Sequence, residues 1–212
     1  MRRAVILANG TPPSRALLSR AVREADLFVC ADGGAEEAHR AGLTPEAVVG
    51  DLDSTSAETL ERFRAAGVRI VRDDDQERTD TEKAIEYALA KGAFDEIAIY
   101  AGSTGRFDHV LGNLSLFHKY AGRANLVLVD DRARAWLAGG EVTLDYPEGT
   151  VISFFAVGGP AEGVTTENLR YPLTNRTILM GSQDSLSNVV AVRPGRIRIG
   201  TGRLVVVVVS LP

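Results

Sequence analysis

Short apolar runs and helical stretches take turns along the chain up to about residue 130, and beyond that point the helical period stops. No other feature of the sequence limits the fold as strongly. The apolar runs are AVILA (4–8), LFVCA (27–31), AVVG (47–50), VRIV (68–71), EIAIYA (96–101) and NLVLV (125–129). Each is short and mostly β-branched or aliphatic, so each reads as a buried strand. Between them, residues 14–25, 35–41, 56–66, 80–90 and 107–120 carry the spacing of amphipathic helices. Strands alternating with helices predict a parallel sheet with helices on both faces. From about Asp130–Asp131 onward the runs are short and β-rich, separated by Gly, Pro and Asn: RAWLA, EVTLD, VISFFAV, TILMG, VVAV, RIRIG and a valine tail. Short strands at such regular spacing predict a sandwich or a barrel.

Composition narrows the chemistry. A net charge of -4 over 212 residues provides no basic excess to neutralise phosphates, which argues against nucleic acid as a partner. It leaves binding of a small anion through a metal open. The single cysteine, Cys30, permits no intrachain disulfide and lies in an apolar run, where a buried, inert thiol is expected. No segment approaches the ~18 apolar residues of a membrane helix. The N-terminal apolar run ends after Ala8, too short for a signal peptide. A cytoplasmic protein is expected.

Ligands of open parallel sheets bind beyond the carboxyl ends of the strands. The polar segments there are NG, ADGG, GDLDS, RDDDQERTD and AGSTGRFDH, and they contain Asp32, Asp51, Asp53, Asp80 and Asp108. Any one of these reads as a helix N-cap when taken alone. Asp51 and Asp53 follow a strand at i and i+2, which aims both charges to one side if the chain stays extended. So many carboxylates at one sheet edge repel each other, and a hard divalent cation relieves the repulsion. Magnesium takes one or two carboxylates and leaves its other positions to water and substrate phosphates. The segment GSTGR, just before a helix, offers backbone N–H groups and hydroxyls to phosphate oxygens, although it lacks the ending of a Walker A motif and, taken alone, reads as an ordinary turn. Arg106 can grip phosphate bidentately. Lys83 shares a helix face with Asp80, which fits either a solvated ion pair or a phosphate contact. His39, His109 and His118 lack zinc-ligand spacing. The run Asp73-Asp74-Asp75 reads as a solvated loop, and Trp136 as core.

The stretches ADGGA (31–35), VVGDLDS (48–54), DQERTDTEKAI (75–85), GSTGRFDHVLGNL (102–114), LRYPL (169–173) and SLSN (185–188) together resemble the thiamine pyrophosphokinases. They span both halves of the chain in the family's order. The resemblance implies a Rossmann-like α/β domain over 1–130 that binds ATP and Mg2+ and carries catalysis. It also implies a β-sandwich over 131–212 for thiamine binding and dimerisation, in a homodimer. The implied reaction moves the pyrophosphoryl group of ATP to the hydroxyl of thiamine, giving thiamine diphosphate and AMP. Carried over by position, Asp51, Asp53 and Asp80 handle the metal and, with Gln76, catalysis. Asp32, Ser54, Thr79, Lys83, Ser103, Thr104, Arg106 and Asp108 serve the nucleotide, and Ser187 and Asn188 the thiamine. Asn168 stands where the family usually has glycine, and left-handed backbone is tolerated better by Asn than by other non-glycine residues. The tail after Gly202 lacks an aromatic seen in some eukaryotic members.

The chemistry of the residues agrees, because transfer of this kind needs positioning and charge neutralisation rather than a dedicated nucleophile. Three rival readings are a same-fold pyrophosphokinase for another alcohol such as a pterin, a D-x-D phosphatase, and a non-catalytic nucleotide or thiamine sensor. The phosphatase requires its first Asp after the first strand, whereas GDLDS follows a later one. A sensor would tolerate loss of site residues, and none is visibly lost.

Overall fold

The computed structural model describes residues 1–209. The chain divides into two compact units, Met1–Asp131 and a second beginning at Arg132. In order, the first contains β1 (Arg3–Leu7), α1 (Arg15–Arg23), β2 (Leu27–Ala31), α2 (Gly34–Ala41), β3 (Ala47–Gly50), α3 (Ala57–Ala65), β4 (Arg69–Arg72), α4 (Asp80–Ala90), β5 (Glu96–Tyr100), α5 (Phe107–Lys119) and β6 (Leu126–Val129).

These six strands pair in parallel in the order β6-β5-β1-β2-β3-β4. Strands β2 and β3 are buried along their whole length, as apolar runs in a sheet covered on both faces must be. The edge strand β4 leaves Arg69 and Arg72 exposed, which guards an open edge against pairing. The chain steps from β1 out to β4 and then returns to the other side of β1, so the strand order reverses between β1 and β5. Helix α2 packs on β1 and β2 and against α3, α3 packs on β4, and α4 packs across β1, β2 and β3. Ser14, Ser56 and Thr79 start α1, α3 and α4 by accepting from the N–H three residues on. Asp80 is therefore the first residue of its helix and Thr79 is the cap. Cys30 is fully buried and free, and burial pushes its thiol pKa far above the ordinary value.

The second unit holds β7 (Ala133–Ala138), β8 (Glu141–Leu144), β9 (Val151–Phe155), β10 (Ala161–Glu167), β11 (Arg176–Ile178), β12 (Ser185–Val189), β13 (Gly195–Arg198) and β14 (Leu204–Val209). They form two antiparallel layers, β12-β9-β14-β7 and β11-β10-β13-β8. Leu144, Val164, Ile178 and Ile197 from one layer and Ile152, Phe154, Leu204 and Val206 from the other share a single core, as a sandwich requires. Trp136 packs partly buried against it. The expected strand VVAV is displaced: β12 ends at Val189, and Val190 makes an isolated bridge to Leu169 and backbone bonds with Gly149 and Thr150. Asn168 adopts φ +60 and its Nδ2 donates to the Pro194 carbonyl at 2.9 Å, so asparagine holds the left-handed turn. The end of the valine tail, Ser210 and Leu211, lies outside the described residues. No helix among the described residues is long and apolar enough to cross a membrane.

Candidate active site

The polar segments of the first unit converge at the carboxyl ends of β1 to β5 and line a cavity of about 410 Å³. Asp51, Asp53, Ser54, Gln76, Thr79, Asp80, Lys83, Thr104 and Arg106 of the expected site residues face it. Asp32, Ser103 and Asp108 stand just outside that lining.

Oxygens of Asp32, Asp51 and Asp80 lie within 4.8 Å of one another, with Asp51 and Asp80 in the lining and Asp32 buried next to them. Gly50 makes this approach available. At its φ of +155, a Cβ would sit 2.9 Å from the Asp32 Cβ and 3.0 Å from Asp80 Oδ1. Asp32 is buried, with Thr55 Oγ1 donating to its Oδ1 at 2.9 Å and the Ser54 N–H to its Oδ2 at 2.9 Å. Burial raises its pKa; the bonds from Thr55 and Ser54 offset part of that rise, and the charge of Asp80 adds to it. Asp53 is not in this cluster. Leu52 turns to φ +66 and the Asp53 N–H donates to Asp51 Oδ1 at 3.3 Å, so the chain is not extended there and the alternation expected of Asp51 and Asp53 does not apply. Asp53 instead accepts from Ser54 Oγ at 2.8 Å.

Lys83 is neither solvated nor free. Its side chain is 2% exposed and its Nζ lies 3.0 Å from Asp80 Oδ1, a buried counter-charge beside the cluster. Gln76 Nε2 lies 3.4 Å from Asp51 Oδ2. Across the cavity the 101–106 loop is tied down at several points. Asn113 Nδ2 donates to the Gly102 carbonyl at 2.8 Å, Ser103 Oγ to Asp130 Oδ2 at 2.8 Å, and Thr104 Oγ1 to the Thr11 carbonyl at 2.7 Å. A Cβ on Gly10 would fall 2.1 Å from the Ala101 carbonyl oxygen, so only glycine lets the β1 and β5 loops meet. Arg106 pairs with Asp108 through Nη2 at 2.6 Å and Nε at 3.2 Å, and this hydrogen-bonded guanidinium holds the Asp108 carboxyl down to about 2.

Ser187 and Asn188 belong to the second unit. Asn188 is buried and accepts from the N–H groups of Tyr171 (3.0 Å) and Val189 (2.8 Å), while its Nδ2 donates to the Tyr171 carbonyl (2.7 Å). Its amide fastens the LRYPL run to β12. Ser187 is exposed at φ +58 and its hydroxyl is the freer group.

Asn9, Gly10, Arg78, His109 and Asn113 also line the cavity and were not among the expected site residues. Asn9 and Gly10 were marked by their place: the strand order reverses beside β1, and the segment after that strand belongs to the binding crevice. Arg78 was hidden among acidic neighbours.

A parallel sheet with a polar, acidic crevice at its switch point, followed by a β-sandwich, defines a two-unit α/β protein. Residues 18–128 match the model of the thiamin pyrophosphokinase catalytic domain, and residues 141–205 that of the thiamin pyrophosphokinase vitamin B1 binding domain. The chain belongs to the thiamine pyrophosphokinase family. Thiamine pyrophosphokinase of Bacillus subtilis is 29% identical over 188 residues, 87% of each chain. Thiamine pyrophosphokinase 1 of Oryza sativa is 28% identical over 192 residues, covering 78% of this chain and 72% of its own. The crystal structure of the Bacillus subtilis enzyme superposes with a TM-score of 0.87 at 26% identity, over 99% of both chains.

Proposed function

We propose that this chain is a thiamine diphosphokinase that moves the pyrophosphoryl group of ATP to the hydroxyl of thiamine, releasing AMP. The observation that carries the reading is the carboxylate cluster of Asp32, Asp51 and Asp80, two of which line a polar cavity, in a chain whose two halves match the two domain models of one family.

The donor set suits magnesium: three hard carboxylates, with Asp51 and Asp80 half-buried at the cavity and room left for substrate oxygens. When bound, Mg2+ supplies charge neutralisation for the triphosphate. Asp51 and Asp80 would hold it, with Asp32 buried next to them and Asp53 exposed in the cavity lining. Lys83 keeps Asp80 in place from the protein side. Arg106, on the opposite wall and exposed, meets phosphate oxygens on leaving Asp108. Gln76 orients the group next to Asp51. The thiamine hydroxyl oxygen attacks the β-phosphorus, the bond from that phosphorus to the α,β-bridging oxygen breaks, and the hydroxyl proton passes to a site carboxylate. The order of events needs no covalent intermediate on the protein.

Ser187 is the residue of SLSN best placed to meet thiamine, since its hydroxyl both donates and accepts. Tyr171, Met180 and Leu186 are exposed at 59%, 65% and 71%, apolar surface that supports the homodimer of this reading. A cytoplasmic setting belongs to the same reading.

Incubation with ATP, Mg2+ and thiamine, followed by identification of the nucleotide, tests the proposal. AMP with thiamine diphosphate is expected. ADP makes it an ordinary kinase, and unchanged ATP makes it a binding module.

A further inference from the structure

Asp73, Asp74 and Asp75 do not line the cavity, yet three carboxylates in a row repel one another unless something neutralises them. Asp73 and Asp75 turn to one side and close on a single guanidinium: Arg78 Nη2 donates to Asp73 Oδ2 at 3.0 Å and its Nε to Asp75 Oδ2 at 2.8 Å. Asp74 turns away and accepts from Arg72 Nε at 2.8 Å.

The second oxygens of the clasped pair work on the backbone. Asp73 Oδ1 accepts the Asp75 N–H at 3.1 Å and Asp75 Oδ1 the Glu77 N–H at 2.8 Å. The Asp73 N–H donates to the Gly50 carbonyl at 2.8 Å. From Gly50 to Arg78 the loop is thus one connected network. Gln76 sits inside it, with Nε2 3.4 Å from both Asp51 Oδ2 and the Asp74 carbonyl. Thr79, which caps α4, and Asp80, which begins it, follow directly.

We propose that Arg78 is a positioning residue: by drawing Asp73 and Asp75 together it fixes the loop that presents Gln76 to Asp51 and launches α4 with Asp80 in the acidic cluster. An isolated exposed ion pair contributes little. Here one guanidinium serves two carboxylates that also hold backbone N–H groups, so loss of one member loosens the others. The side chains of Asp73, Asp75 and Arg78 are 28%, 37% and 33% exposed, shielded enough for the network to persist. The competing role is a direct phosphate contact, since Arg78 faces the cavity. Its Nε and Nη2 are already engaged with carboxylates, which favours the positioning role.

The inference rests on the pyrophosphokinase reading, and its test separates the two. Arg78→Met, Asp75→Asn, their double variant and Arg78→Lys are assayed in the full chain for kcat and for KM of ATP at saturating Mg2+. Backbone amide exchange over residues 73–79 is followed without substrate. A misplacement of the loop is expected to lower kcat about tenfold in either single variant, with KM for ATP little changed. The double variant should be no worse than the poorer single, Arg78→Lys should recover part of kcat, and exchange over 73–79 should quicken while the rest of the first unit is unaltered. A silent Asp75→Asn beside an Arg78→Met with raised KM for ATP would assign Arg78 to the phosphates and overturn the proposal. So would unchanged exchange, whatever happens to kcat. Should the unaltered chain form no AMP, the reaction itself is wrong, and the exchange measurement alone then decides whether the clasp orders the loop.

Discussion

Asp51 in the first unit and Asn188 in the second are both polar, both expected from the sequence to serve the site, and opposite in what their side chains already do. Asp51 is half-buried with its two oxygens engaged only at 3.3 and 3.4 Å, the outer limit of hydrogen bonding. Asn188 is 1% exposed with three bonds between 2.7 and 3.0 Å. A side chain poised for a ligand keeps its bonding capacity open, and one that builds the fold has it filled. Asp80 lies between the two, since it faces the cavity while its Oδ1 pairs with Lys83 Nζ at 3.0 Å.

The comparison is tested most severely by Asp51→Asn. On the proposed reading the cluster holds Mg2+, so removing one of its charges costs several kcal/mol of transition-state stabilisation and turnover should fall more than about a hundredfold. The fold should remain intact, and the thermal midpoint without metal should hold or rise as repulsion in the cluster is relieved. Near-normal activity of this variant at limiting Mg2+ would remove Asp51 from the metal site.

The second test is Asn188→Ala. It leaves the Tyr171 and Val189 backbone groups without partners in a partly buried place, which costs about 2–4 kcal/mol for groups of this kind. Urea unfolding should show that loss, whereas Ser187→Ala at the exposed neighbouring position should stay within about 0.5 kcal/mol of the parent. An Asn188→Ala protein as stable as the parent and defective only in thiamine use would reverse the comparison and return Asn188 to the ligand.

Much of this was legible in the sequence because of how the first unit is built. Central strands of a covered parallel sheet must be apolar throughout, so LFVCA and AVVG mark β2 and β3 to the residue, and α4 begins and ends where its spacing says. The second unit was harder to read. β10 has buried Ala161, Val164 and Thr166 among polar residues and a register shift, too weak an alternation to stand out. For the site, the strand-end rule located Asp51, Gln76, Asp80 and Arg106, because topology alone brings those loops together. Whether a carboxylate points into the cluster depended on local backbone the sequence does not advertise. Leu52 at positive φ removes Asp53, and Gly50 admits Asp32. The acidic run at 73–75 is a loop and not part of the acidic cluster, as read, but the sequence did not show that Asp73 and Asp75 fold around Arg78 by contacts two to five residues long.

The smallest effect belongs to Glu36, a carboxylate of the first unit that sits on the Asn188 side of the comparison. Its Oε1 accepts the Ser56 N–H at 2.7 Å and its Oε2 the Thr59 hydroxyl at 3.0 Å, which ties α2 to the start of α3. Burial pushes this carboxyl up, but the bonds from Ser56 and Thr59 and the charge of Arg40 more than offset it, so its pKa lies below the ordinary value. The sign follows from that direction. The ionised form is the one the fold favours, so the contribution is complete above about pH 4.3, the unfolded value, and disappears as pH falls through the lower folded value. Partial exposure and screening keep it modest. Urea midpoints of the parent and Glu36→Gln should therefore differ most near neutral pH and draw together towards pH 3, with Mg2+ making no difference to the gap. A gap that stays constant or widens in acid would show that Glu36 does not stabilise the fold as a carboxylate. A gap that opens only with Mg2+ would move it to the open, ligand-facing group with Asp51.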